Sequence, residues 1–211
     1  MRLFILLLFL ATAIIPTNAQ VLDTVEALMA SGRVVDAKQR LDAISDSVTQ
    51  GTIRYQLTKA HLYKELFKQS LQLFGIKNNN WLVISCDAYV DGVTALAKIT
   101  RVPDSLFALI TDCYGNAARE GIYEVNHGSK TLAEDLFYTA HYSASLWSII
   151  SGIAINDTNA QYTIGMYFYQ RGQQATTSEA KQEYFTRARH YLLPLAVFKR
   201  EDVLAALKEI N

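Results

Sequence analysis

Proline and cysteine are scarce in this sequence and there is no surplus charge, and each shortage narrows what the chain can encode. Its 211 residues hold three Pro, so little interrupts a helix and long helices are open to it. Twenty Lys and Arg balance twenty Asp and Glu. A chain without excess charge sets up no field to hold nucleic acid or an anionic lipid surface. Two Cys allow at most one bridge, which excludes a disulfide-stapled miniature fold. The short catalytic signatures are also missing: H-E-x-x-H, G-x-S-x-G and a glycine-rich phosphate loop have no counterpart, and no cofactor or metal is expected.

What is present begins with a leader. Met1-Arg2 supplies a positive start, Leu3 to Ile15 is an almost unbroken apolar run, and Thr17-Asn18-Ala19 ends on a small residue. That is the form of a secretory signal peptide over residues 1–19, cleaved after Ala19. The apolar run stops at Pro16, short of the roughly 20 residues a spanning helix needs. An exported chain is therefore expected, periplasmic or extracellular, starting at Gln20, with no membrane insertion after cleavage. Residues 20–211 suit one domain with a substantial core.

Apolar residues recur at intervals of three and four through most of that span. Val25, Leu28 and Met29, then Val34, Ala37, Leu41 and Ile44, form two stripes about a Ser31-Gly32 turn. Ile53 to Phe74 keeps the helical period over many turns, Gly75 to Asn80 is a loop, and Trp81 opens a further run through Ile99 with Gly92 as a point of close contact. Arg101-Val102-Pro103-Asp104-Ser105 stops one helix and starts another over Leu106 to Val125. Thr131 with Glu134 offers a capping box for the next helix. Phe198 to Ile210 closes the chain as a helix with Val203, Leu204 and Leu207 inward.

The segment from Asn159 to Val197 reads most clearly as two helices. Ile164, Tyr167 and Phe168 lie on one helical face, and Tyr162, Met166 and Tyr169 on another. A helix that is apolar on two faces needs cover from two sides, which stacking supplies. Gly165 lies between the two sets as a place of close approach, Arg171-Gly172 is expected to end the helix, and Thr176 with Glu179 to cap the next one. That second helix carries Tyr184, Phe185, Ala188, Tyr191 and Leu192 before Pro194 ends it.

In these residues the segment resembles the tetratricopeptide repeat, a helix-turn-helix unit of about 34 residues patterned W-x2-L-G-x2-Y, A-x3-F and a closing Pro. Ile164, Gly165 and Phe168 take the Leu, Gly and Tyr places, Phe185 the second-helix Phe and Pro194 the closing Pro. Gln161 stands at the Trp place and Lys181 at the Ala place. Gly32, Ala37 and Leu41 repeat part of the spacing near the start. The resemblance implies an all-α fold of stacked antiparallel helix hairpins, a TPR-like α-solenoid with a C-terminal capping helix. It also implies a scaffold that binds a protein or peptide without catalytic residues.

Candidate chemistry is sparse. His61 and Glu65 share a helix face, but two ligands do not make a metal site. Asp87 and Asp91, one turn apart, are the acid pair an enzyme on cell-wall or polysaccharide substrates would use, and Glu134 is a second choice. The plain reading is solvated carboxylates, with Glu134 and Asp135 complementing a helix dipole. Cys86 and Cys113 are a candidate disulfide. If their helices are antiparallel about Val102, an offset of five residues separates them by about 7.5 Å along the axis, which leaves a bridge and two buried thiols as the two readings. Asn156-Asp157-Thr158 is a glycosylation sequon in a eukaryotic secretory pathway and otherwise a helix cap. Twelve Tyr are many for a core in which each buried hydroxyl needs a partner. Tyr89, Tyr138, Tyr142, Tyr162 and Tyr169 are the candidates for a binding surface, for peptide or glycan or, in a lined cavity, a small ligand; the plain reading is that the tyrosines fill wide helix interfaces.

Overall fold

The computed structural model describes residues 18–153 and 157–210. The leader expected over residues 1–19 lies outside the described residues except for Asn18 and Ala19, and so does Asn156 of the sequon. Every regular element among the described residues is helical, and the chain divides into two compact units between Ile99 and Thr100. The β-branched pair Val83-Ile84 lies within a helix.

The first unit runs α1 (Asn18–Ala30), α2 (Val34–Asp42), a single turn α3 (Ser47–Gln50), α4 (Ile53–Phe74) and α5 (Asn79–Ala97). Gly32 turns α1 into α2 at φ 77°, a left-handed conformation that costs glycine nothing. The stripes expected from the sequence meet in one core, in which Val25, Ala37, Leu41, Leu62 and Leu66 are buried. α4 packs on α1, α2 and α5. Leu57 of α4 closes over Gly92 of α5, where a Cβ would meet its Cδ2 at 3.0 Å. Ser85 donates to the Ala60 carbonyl at 2.8 Å, tying the same pair of helices. Thr52 caps α4, accepting from the Tyr55 amide. Thr52→Ala should cost the first unit about 1 kcal/mol, measured by urea unfolding; no change would mean the cap is not formed.

The second unit runs α6 (Asp104–His127), α7 (Lys130–Ser151), α8 (Thr158–Gln174), α9 (Ser178–Leu192), a 3-10 turn at Leu193–Phe198 and α10 (Glu201–Ile210). α6 packs on α7, and α8 packs on α9. Pro194 falls in the 3-10 turn, where its ring ends α9 as expected. Asp157 caps α8 by accepting from the Ala160 amide.

Four local expectations shift. α8 continues past Gly172, which has no positive φ. Its missing side chain instead makes room for the Phe185 ring. Thr177, not Thr176, caps α9, and Ser129, not Thr131, caps α7; each true cap reaches the amide three residues on, and neighbouring hydroxyl residues make the register ambiguous in sequence. In α10 Val203, Ala206 and Leu207 are buried while Leu204 is exposed.

Candidate functional site

The five candidate tyrosines are divided between the two units. Tyr89 belongs to the first unit and is fully buried, its hydroxyl 2.9 Å from His61 Nδ1. Partial burial of the His61 ring holds its pKa below the ordinary value. The other four belong to the second unit. Tyr162 donates to Asp202 at 2.6 Å beneath the Arg200 guanidinium, and Tyr169 donates to Glu209 with its ring stacked on Phe185. Both therefore join α8 to α10. Tyr138 lies under the Arg187 guanidinium, 3.8 Å from the ring centroid. Tyr142 is half exposed.

Glu134 is the organising carboxylate of the second unit. From α7 it accepts from Tyr184 of α9 at 2.6 Å and from Tyr138 at 3.3 Å, and it pairs with Arg171 of α8 at 3.0 Å. It does not close a capping box. Its side chain is only 15% exposed, and both oxygens are spent joining three helices. The hydrogen bond to Glu134 raises the Tyr184 pKa, because a neighbouring carboxylate disfavours a phenolate. Asp135 stands beside it, its carboxyl pKa raised by burial and then by Glu134.

The remaining candidates are dispersed. Asp87 and Asp91 are exposed on α5. Among the described residues no three His, Cys, Asp or Glu gather as a metal site. Cys86 and Cys113 are both buried, one in each unit. No described helix is long and apolar enough to cross a membrane.

Two hollows remain. One, of about 590 Å³ in the second unit, is polar, lined by Asp112, Asn116, Arg119 and Asp157 among others. Its polar groups serve the helices that carry them: Asn116 donates to the Asp112 carbonyl and accepts from Arg119, and Asp157 caps α8.

The other, of about 610 Å³, is a groove between α1 and α4 in the first unit. Met29, Ile53 and Leu57 make its apolar floor, and Glu26, Arg54, Thr58 and His61 its rim. Arg54 grips Glu26 through two nitrogens at 3.1 and 2.9 Å and reaches Asp23 at 2.5 Å, while Thr58 donates to Glu26 at 3.0 Å. The Arg54 bonds hold the Glu26 carboxyl below its usual range. The rim is thus fixed before anything binds, and the floor is left open. Thr58, the one hydroxyl on the rim, is committed to Glu26. Sequence reasoning placed Ile53 and Leu57 in a core stripe and passed over Glu26 and Arg54, because pairing across 28 residues leaves no local signal.

Compared with protein-family models, curated proteins and solved structures, the chain matches none.

Proposed function

We propose that this protein is an exported helical scaffold that binds an extended protein or peptide segment, in the cell envelope or outside the cell. Its helices are read as antiparallel hairpins stacked in the manner of tetratricopeptide repeats, with α10 as the closing helix. The closeness of α8 and α9 supports this: a Cβ on Gly165 would lie 2.6 Å from Leu192 Cδ2, and Ala188 is fully buried. Gly165 stands at the glycine place of the repeat pattern.

The observation that carries the binding role is the groove between α1 and α4. An open apolar floor with a few fixed polar groups is the form in which proteins hold ligand side chains. Met29, Ile53 and Leu57 would take an apolar side chain, and His61 would set its neighbour. Peptide-display selection against the exported chain tests this directly. The selected peptides should carry an apolar anchor, and Ile53→Asp should weaken them at least tenfold. Ile53 is the first residue of α4, where a carboxylate suits the helix dipole, so that variant keeps its fold while charging the floor. A selection that enriches nothing, or peptides indifferent to Ile53→Asp, would sink the reading.

A further inference from the structure

The groove between α1 and α4 carries a charge that its own rim leaves unbalanced. Asp23 and Glu26 are neighbours on one face of α1 and are the only charged residues of that helix. Arg54 of α4 is the one cation they meet among the described residues, 2.5 Å from Asp23 and 2.9 Å from Glu26. Two carboxylates on one guanidinium leave a single negative charge in excess. Glu26 is gripped through both oxygens by Arg54, and Thr58 adds a third bond. Asp23 meets Arg54 through one oxygen, and its side chain is 66% exposed. The surplus therefore lies on Asp23, beside the rim and open to an incoming group.

The other charged groups along the groove do not reach this one. Burial first, then Lys64, hold the His61 imidazole below its ordinary pKa, so it is uncharged at neutral pH. Lys64 lies ten residues past Arg54, about 15 Å along the helix, which is beyond the reach of an exposed charge at ordinary salt. Glu65 is matched by Lys68 at 2.7 Å, and past the end of α1 Arg33 is matched by Asp36 at 2.7 Å. The groove itself, of about 610 Å³, is in the range that takes a whole drug-sized ligand. The residues on either side of an apolar anchor thus come to its rim as well.

We propose that the segment held in this groove carries arginine or lysine next to its apolar anchor, on the Asp23 side. The inference rests on the groove being the peptide site and adds the class of sequence that enters it. The anchor covers Met29, Ile53 and Leu57, and the neighbouring cation meets the exposed Asp23 carboxylate. An acidic neighbour would instead set a third carboxylate against a cluster with one cation. Arg54 does not turn away to receive it, because its bonds to Glu26 are made through two nitrogens. A charge at such a rim acts chiefly on the rate of association and is screened by salt.

Fluorescence anisotropy with labelled synthetic peptides tests this. The tightest anchored peptide from the display selection is remade with arginine, glutamine or glutamate on each side of its anchor and titrated with the exported protein, expressed from the full-length chain. At about 50 mM salt the arginine peptide should bind about threefold tighter than the glutamine peptide and about tenfold tighter than the glutamate peptide, and the differences should close at about 1 M. Asp23→Asn keeps an oxygen for Arg54 and should bring the three peptides within about twofold of one another. Asp36→Asn, which removes a carboxylate of α2 paired with Arg33, should leave the arginine advantage as in the parent. Far-ultraviolet circular dichroism should match the parent for both variants. Anchored peptides that bind alike whatever their flanks, a glutamate peptide that binds tightest, or an arginine advantage that survives Asp23→Asn would overturn the proposal while leaving the groove as the binding site. Peptides indifferent to Ile53→Asp, or a selection that yields none, would remove the site and the proposal with it.

Discussion

Phe168→Ala should strip about 3–5 kcal/mol from the second unit. Phe168 is fully buried on α8. Its ring meets Tyr138 of α7 at 5.4 Å and Tyr184 and Tyr191 of α9 at 6.3 Å each, and it touches Tyr167 on its own helix at 5.8 Å. Three of those neighbours hold their hydroxyls elsewhere: Tyr184 and Tyr138 on Glu134, Tyr191 on His141. They cannot collapse into the space a lost ring leaves without breaking those bonds, so the cavity term is paid nearly in full. Thermal unfolding followed at the second unit should drop by about 10–20 °C. If the alanine variant does not fold, Phe168→Leu should fold with a smaller loss of about 1–2 kcal/mol. A loss below about 1 kcal/mol for Phe168→Ala would mean that this ring is not the centre of the packing.

Helix content and several turns were legible in the sequence because they depend on near neighbours. Gly32, Pro194, Asp157 and the long apolar period of α4 each act within four residues of where they stand, and each is found in its expected role. Gly165 and Gly92 were legible as points of close contact, since glycine inside a helix has to be offset by something a side chain would prevent. Gly172 misled for the same reason in reverse. The residue that looked like a helix end is a helix interior hollowed for Phe185, and only the partner helix decides between the two. Glu134 shows the limit more sharply. Its spacing from Thr131 fits a capping box, but its bonds go to residues 37 and 50 positions away, and no local pattern specifies them. The tyrosines follow from that: the abundance that suggested a binding surface is in large part an internal polar network, with phenol groups answering carboxylates and imidazoles across helix boundaries.

The same network makes the second unit sensitive to acid. His141 of α7 has its Nδ1 2.9 Å from the Tyr191 hydroxyl, and the His190 ring stands perpendicular to it with centroids 5.1 Å apart. Burial first, then the neighbouring His190 and Arg187, hold its pKa down at about 4. In the unfolded chain the ring returns to about 6.5. Between these values the unfolded state binds a proton that the folded state refuses, so stability falls as the pH drops through that window and is intact above it. At pH 4.5 the loss should reach about 2.5 kcal/mol relative to neutral pH. Asp202 is held at about 2 by Arg200 and Tyr162, so its contribution fades only below the ordinary carboxylate range and does not overlap. His61 is lowered too, but it lies in the first unit, and probes placed in each unit separate the two. Urea unfolding of the second unit at pH 7.0, 5.5 and 4.5 should therefore show a steady decline for the parent chain and a much flatter one for His141→Gln, whose amide can still meet the Tyr191 hydroxyl. Parallel curves for the two would show that the buried imidazole is not the group being titrated.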